Sequence, residues 1–347
     1  MDKILPAYND PLFSILIITI LILVVATVSY FMGNYKEDIQ LKNLKSFLGK
    51  IEIDGCSLDI DKLPFETTLI TPLSILAKTF STQGEYQKAI GIYIYLINNL
   101  QSFTQKEYLL EGLGETYLRA GFLKRAESVF LEILRKHPRN RTILYYLEIV
   151  YELLNEYDKA KETLKPLEIM GENISALETH LKVSSLLKNI HISREDKIIQ
   201  LKEIIKNGSY RRIIRELFRL DFNTAWELLD KDRIYLIVDI LWFLPSSNLN
   251  FDIISSCNTL NGIYTAKGIL PQKENTPSSG IFAIDAINSA QRGGNFDLDL
   301  NFSYSCNRCK QHFPISFDRC PKCYAIDSIQ VQESIGKKRT NTGFSLL

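Results

Sequence analysis

The sequence predicts a mostly α-helical protein in three parts: a single N-terminal transmembrane helix, a solenoid of paired helices and a small C-terminal metal-held ribbon. Three observations predict it. Residues 12–31 carry no charge and are largely apolar. An apolar pattern recurs with a period of about 34 residues through the first half of the chain. Four of the six cysteines fall together in CNRCKQHFPISFDRCPKC, from Cys306 to Cys323. At 347 residues there is room for one large or two ordinary domains. The 41 Lys and Arg against 40 Asp and Glu leave a net charge of +1, and no basic stripe interleaved with aromatics appears, so nothing global favours nucleic acid.

The apolar segment reads LFSILIITILILVVATVSYF. At about 1.5 Å per residue, such a helix matches the roughly 30 Å hydrocarbon core of a bilayer. Tyr30, Phe31 and Tyr35 then lie at one water interface, where amphipathic rings prefer to sit. A cleaved signal peptide fits less well. Lys3 is offset by Asp2 and Asp10, the apolar run is too long, and no small-residue cleavage site follows. Lys36, Lys42, Lys45 and Lys50 follow the helix while only Lys3 precedes it, so the positive-inside bias places the N-terminus outside and the body in the cytoplasm. Residues 32–66 form a juxtamembrane linker.

Residues 67–174 hold three copies of one pattern, starting at Leu73, Leu110 and Leu144 and aligning on Ala89, Ala126 and Ala160. In the second copy Leu110, Leu113, Gly114 and Tyr117 form the apolar stripe of one helix. Gly121 marks the turn, Ala126 permits close approach of a second helix, Phe130 and Ile133 continue its stripe, and Pro138 closes the unit. The first copy uses Leu73, Leu76, Ala77, Phe80, Gly84, Ala89 and Tyr93; the third uses Leu144, Leu147, Tyr151, Ala160 and Leu164. This is the period and skeleton of tetratricopeptide repeats. The third copy departs at Glu148, which replaces the small residue, and at Asn155, which replaces the turn glycine but still tolerates the left-handed conformation. GLGETYLRAG, with Gly112, Gly114 and Gly121, is read as helix and turn, because it lacks the preceding strand and the Gly-Lys-Ser/Thr of a phosphate loop.

Residues 175–245 are predicted to continue as degenerate helical repeats: a pair broken near Asn189 and His191, DFNTAWELL with Ala225 in the small position, and a terminal IYLIVDILWFLP ended by Pro245. Residues 246–300, rich in Asn, Ser and Gly, are read as a connector, with FAIDAINSAQ as its one candidate helix.

Residues 301–332 form the ribbon and 333–347 a flexible tail. Cys306-x₂-Cys309-x₁₀-Cys320-x₂-Cys323 places two thiolate pairs opposite one another, as a tetrahedral S₄ site for one structural metal ion requires, zinc ahead of iron. All four positions come from protein, so none is left for substrate. About 30 residues cannot hold a fold by apolar burial alone, and a structural metal offsets the deficit. Phe302, Tyr304, Phe313, Phe317 and Tyr324 are expected to cover the site, and His312 to remain outside it. The rivals are two disulfides, which conflict with the cytoplasmic side, and a redox-active pair, which lacks a helix-start βαβ setting. Cys56 and Cys257 are read as free thiols.

No nucleophile–base pairing or HExxH occurs, and His137, His180, His191 and His312 are isolated in the sequence, so an enzyme is not expected. Arg308, Lys310, Arg319 and Lys322 make the knuckles basic, and Lys337, Lys338 and Arg339 follow. That charge suits anionic headgroups or an acidic protein face as well as nucleic acid, and no nucleic-acid partner is expected. A solenoid lines its concave groove with the first helix of each repeat, which here selects Lys78, Tyr108, Glu111, Glu115, Arg119, Tyr145 and Glu152 as partner-binding residues.

YFMGNY at the end of the anchor, GETYLRAGFLKRAESVF in the repeats, and SCNRCKQHF with CPKC in the ribbon make the chain resemble the lipopolysaccharide assembly protein B family of bacteria. The resemblance covers about 31–174 and 302–325. It implies a rubredoxin-like last domain packed against the repeats and a non-catalytic regulatory scaffold in the inner membrane. Such a scaffold brings the deacetylase committed to lipid A synthesis to a membrane-bound AAA+ metalloprotease.

Overall fold

The computed structural model describes residues 65–272 and 278–338, with helical positions at Leu21, Leu23, Val24, Val25 and Thr27. The rest of the anchor at 12–31, nearly all of the linker at 32–66, Cys56 and residues 339–347 lie outside the described residues. No helix among the described residues is long and apolar enough to cross a membrane. The chain divides into two compact units after Leu154.

The first unit is a stack of helices: α1 (Ile70–Gln83), α2 (Tyr86–Asn99), α3 (Phe103–Arg119), α4 (Leu123–Lys136) and α5 (Arg141–Leu153). Each packs on the next, and the alternate helices α1, α3 and α5 also meet in sequence. The turns that reverse the chain share one geometry. After α1, Gly84 takes φ +87° and the Glu85 N–H returns to the Phe80 carbonyl at 2.9 Å. After α3, Gly121 takes φ +79° and the Phe122 N–H returns to the Tyr117 carbonyl at 2.9 Å. Such caps need a left-handed residue, which glycine adopts without a Cβ penalty. Ala77, Ala89 and Ala126 are fully buried where the helices approach closely. Between α1 and α3 the Thr116 hydroxyl donates to Ser81 Oγ at 3.1 Å. Asn140 caps α5, its Oδ1 accepting the Ile143 N–H at 3.2 Å. Glu148 lies fully buried on α5 in the position its aligned copies give to Ala77 and Gly114.

Gly114 shows why that position is small. A Cβ there would stand 2.3 Å from the Phe130 ring. Gly114→Ala is therefore expected to destabilise the first unit by about 1–3 kcal/mol through overpacking, although alanine is the better helix former. Thermal unfolding of the full chain checks this, and an unchanged or higher Tm contradicts it.

The second unit begins with Asn155 at φ +60° and runs through α6 (Tyr157–Ile169), α7 (Ser175–Lys188), α8 (Arg194–Ile204), α9 (Tyr210–Leu220), α10 (Phe222–Glu227) and α11 (Val238–Phe243). It continues with α12 (Phe251–Ser255), α13 (Asn258–Ala266) and α14 (Phe282–Arg292), then β1 (Leu298–Cys306), β2 (His312–Phe313) and β3 (Ile329–Lys337). The sheet has the order β2-β1-β3 and is antiparallel throughout. One hydrophobic core takes in Val183, Leu217, Trp226, Leu241, Ile263, Ile284 and, from β1, Leu300.

The described residues of 246–300 thus form three α-helices, and Ile254, Ile263 and Ile284 from them belong to the core. Their Asn and Gln side chains satisfy backbone carbonyls around short helices. Asn288 Nδ2 donates to the Gly262 carbonyl at 3.0 Å, and Gln291 Nε2 to that of Ala266 at 2.7 Å. Polar composition here serves the buried hydrogen-bond requirement of many helix ends. IYLIVDILWFLP does not end the helical layer: it is a 3-10 turn followed by α11, with α13 packed on it. The predicted tail also starts later than expected, since β3 runs to Lys337 and its last residues pair with Leu298–Phe302.

Candidate metal centre and its seat on the helices

Two turns of nearly identical backbone present the cysteines. At the first, the Cys306 N–H donates to the Gln311 carbonyl at 2.9 Å and the Lys310 N–H to the Cys306 carbonyl at 2.8 Å. At the second, the Cys320 N–H donates to the Ala325 carbonyl at 2.8 Å and the Tyr324 N–H to the Cys320 carbonyl at 2.9 Å. Lys310 and Tyr324 both take φ +58°, and the flanking pairs Ser305–His312 and Arg319–Ile326 match. The ribbon is a doubled Cys-x₂-Cys knuckle whose two loops face one another.

The four Sγ atoms lie within 4.8 Å of one another. Cys306 and Cys323 are 3.7 Å apart at sulfur, as are Cys309 and Cys320. Metal–sulfur bonds of about 2.3 Å in a tetrahedron set sulfur–sulfur edges of about 3.8 Å, so the cysteines fit a metal ion. A disulfide needs about 2.05 Å, and all four are free thiols. Burial pushes the Cys306 thiol up, but the Cys309 N–H, the Ser328 hydroxyl and the Arg308 N–H outweigh it and bring the thiol down to about 6. Burial and neighbouring thiols push Cys320 up to about 12. Burial also raises Cys323. His312 is exposed on β2 and is not part of the cluster.

Phe313 and Phe317 pack edge to face, 5.1 Å between centroids, within the ribbon. Phe302 and Tyr304 depart from the expected role of covering the site, because both turn toward the helices. Phe302 meets Phe243 with centroids 5.6 Å apart, and the Tyr304 hydroxyl donates to Asp239 Oδ2 at 2.9 Å. The alternation of β1 dictates this, since Leu298, Leu300, Phe302 and Tyr304 share one face.

The ribbon also meets α9, YRRIIRELFRL, whose Arg211 guanidinium lies 5.8 Å from the centroid of the Tyr304 ring. Arg211 forms a two-pronged pair with Asp239 at 2.6 and 2.6 Å, with side chains only 10% and 5% exposed, and also donates to Ser316 Oγ at 3.0 Å. Arg215 donates to Asp318 Oδ2 at 2.8 Å, and Arg212 Nε lies 3.2 Å from the same oxygen. The Ser209 hydroxyl, just before α9, donates to Asp327 Oδ2 at 3.2 Å. Burial would raise the Asp318 carboxyl, but Arg215 first and then Arg212 and His180 hold it below the usual carboxylate range. His180, isolated in the sequence, is 1% exposed with Nδ1 3.2 Å from Arg212. None of these arginines stands out in the sequence. Their spacing reads equally well as a solvated helix face, and their carboxylates lie far downstream, Asp239 28 residues from Arg211 and Asp318 103 residues from Arg215.

In the first unit the predicted groove residues sit on the first helix of each pair: Lys78 on α1; Tyr108, Glu111, Glu115 and Arg119 on α3; Tyr145 and Glu152 on α5. Arg119 pairs with Glu115 at 2.7 Å. Burial, then Glu115 and Glu107, raise the Glu111 carboxyl, while Lys78 opposes them. Burial with Glu115 and Tyr108 pushes Tyr93 up to about 12. Lys78, Tyr108, Glu111, Glu115 and Arg119 are thus neighbours, joined by Tyr93 and Glu107, which the first-helix rule did not select. Tyr145 and Glu152 are half-buried one helix pair further on.

No family model matches the chain. It is 24% identical over 154 residues to proteins described as lipopolysaccharide assembly protein B from Escherichia coli strain K12 and from Escherichia coli O157:H7. The match takes in 44% of this chain and 39% of each relative, well under two thirds of their length.

Proposed function

We propose that this chain, a distant relative of lipopolysaccharide assembly protein B, is a non-catalytic scaffold anchored in the bacterial inner membrane by residues 12–31, with its body in the cytoplasm. Its tetratricopeptide-type repeats bind proteins, and its rubredoxin-like ribbon carries one structural zinc ion. By analogy with that family it regulates lipopolysaccharide synthesis, presenting the committed-step lipid A deacetylase to a membrane AAA+ protease. The observation that carries the reading is the closed set of four cysteine sulfurs seated on a helical layer. With every coordination position filled by protein, the metal would supply folding energy and no site for substrate or water.

In-cell crosslinking of the anchored protein followed by mass spectrometry tests the partners. Recovery of the protease and the deacetylase supports the reading; recovery of another client with neither of them makes the chain a scaffold for a different assembly. Joint replacement of Glu111, Glu115 and Arg119 by alanine is expected to abolish most of that crosslinking while leaving the fold intact. Partner recovery at the unmodified level after this change would place binding elsewhere than the groove.

A further inference from the structure

The ten residues between the two knuckles, Lys310 to Arg319, are fixed at both ends by cysteines whose sulfurs lie 3.7 Å apart. From this loop Ser316 and Asp318 reach the helices, and both end on α9. Asp318 alone faces two guanidinium groups, Arg212 and Arg215, whose side chains are 13% and 21% exposed. Arg211, next to them, holds Ser316 while also pairing with Asp239.

We propose that α9, through Arg211, Arg212 and Arg215, couples occupancy of the four-cysteine site to the order of the surrounding helices, so that losing the metal loosens α9 and losing the ion pairs weakens the metal. The coupling rests on the metal-holding reading of the cysteines and extends it. The ribbon has few apolar contacts of its own, because Leu300, Phe302 and Tyr304 face the helices. Without metal, the loop keeps only the short β1–β2 pairing at His312–Phe313 and the Phe313–Phe317 contact, and Asp318 leaves its place. Arg215 then keeps Glu216 at 3.0 Å, but Arg212 remains a largely buried cation beside it without the shared carboxylate, an arrangement that costs more than the exposed equivalent. The chain relieves it by opening α9 and the segment against it, including Asp239 on α11. Reciprocity follows from linkage: whatever metal does for α9, the α9 contacts do for metal affinity.

Hydrogen exchange on the full chain in detergent, loaded with zinc alone or stripped by a chelator, tests this without any substitution. Amides of 210–220 and 238–243 are expected to exchange at least about tenfold faster in the stripped protein, with those of 70–136 unchanged. Asp318→Asn is expected to weaken zinc, measured by competition with a chromophoric chelator, by about 5- to 150-fold. Gly114→Ala, which loosens the other unit, leaves zinc affinity unchanged and separates coupling from general instability. Zinc bound at one per chain with unchanged exchange over α9, or an Asp318→Asn chain that holds zinc as tightly as the parent, overturns the coupling alone. A chain that takes up no zinc overturns it together with the metal reading.

Discussion

On the proposed function, Cys320→Ser is expected to empty the metal site and unfold the ribbon while leaving the protein at the membrane. Cys320 is fully buried and its sulfur is 3.7 Å from that of Cys309, so a serine oxygen there supplies a poor ligand at the centre of the cluster. Structural zinc contributes apparent binding energies of about 10–16 kcal/mol in small domains, more than the whole stability of many proteins. Losing one of four thiolates therefore removes a term that the apolar contacts of β1 alone cannot replace. The expected readouts are zinc stoichiometry falling from one to near zero, fast amide exchange across 298–337, and loss of partner crosslinking with membrane retention unchanged. Zinc retained at one per chain with a native exchange pattern would contradict the assignment of Cys320 as ligand.

The second large effect comes from the seam beneath the ribbon. Asp239→Ala leaves Arg211 buried at 10% exposure without a counter-ion and removes the acceptor of the Tyr304 hydroxyl. Breaking one side of such a pair costs about 3–5 kcal/mol, because an uncompensated charge remains inside. Replacing both partners with apolar residues, as in an Arg211→Met, Asp239→Leu double variant, is expected to recover most of that loss, since the desolvation penalty disappears with the charges. Equilibrium unfolding of the single and double variants decides it. A single variant within about 0.5 kcal/mol of the parent would mean that the pair is solvated, against its burial.

These two sites differ in how far the sequence reveals them. The cysteine spacing is local: each pair needs only a short turn, and ten residues bring the two turns together, so the clustering of the four sulfurs is legible from Cys306 to Cys323 alone. The repeat skeleton is legible for the same reason, since Gly84, Gly121 and the buried Ala77, Ala89 and Ala126 act within one helical hairpin or between sequence neighbours. The seam is not. Arg211 and Arg215 look like surface charge until Asp239 and Asp318, 28 and 103 residues away, fold onto them. Residues 246–300 are obscured by a different cause. Helices such as Phe251–Ser255 are too short to display a full apolar period, and Asn288 and Gln291 serve the backbone where a polar residue normally signals a loop. Phe302 and Tyr304 were assignable to one face of a strand, but the identity of what that face meets depends on Phe243 and Asp239, and so on the tertiary fold.

On the proposed function, one metal ion is held wholly by protein sulfur in the ribbon. X-ray absorption at the metal edge of the purified full chain decides this. Four sulfur neighbours at about 2.3 Å and no light-atom neighbour in the inner shell are expected. An oxygen or nitrogen ligand, or a bound metal with fewer than four sulfurs, would contradict it, because an open position belongs to a reactive centre.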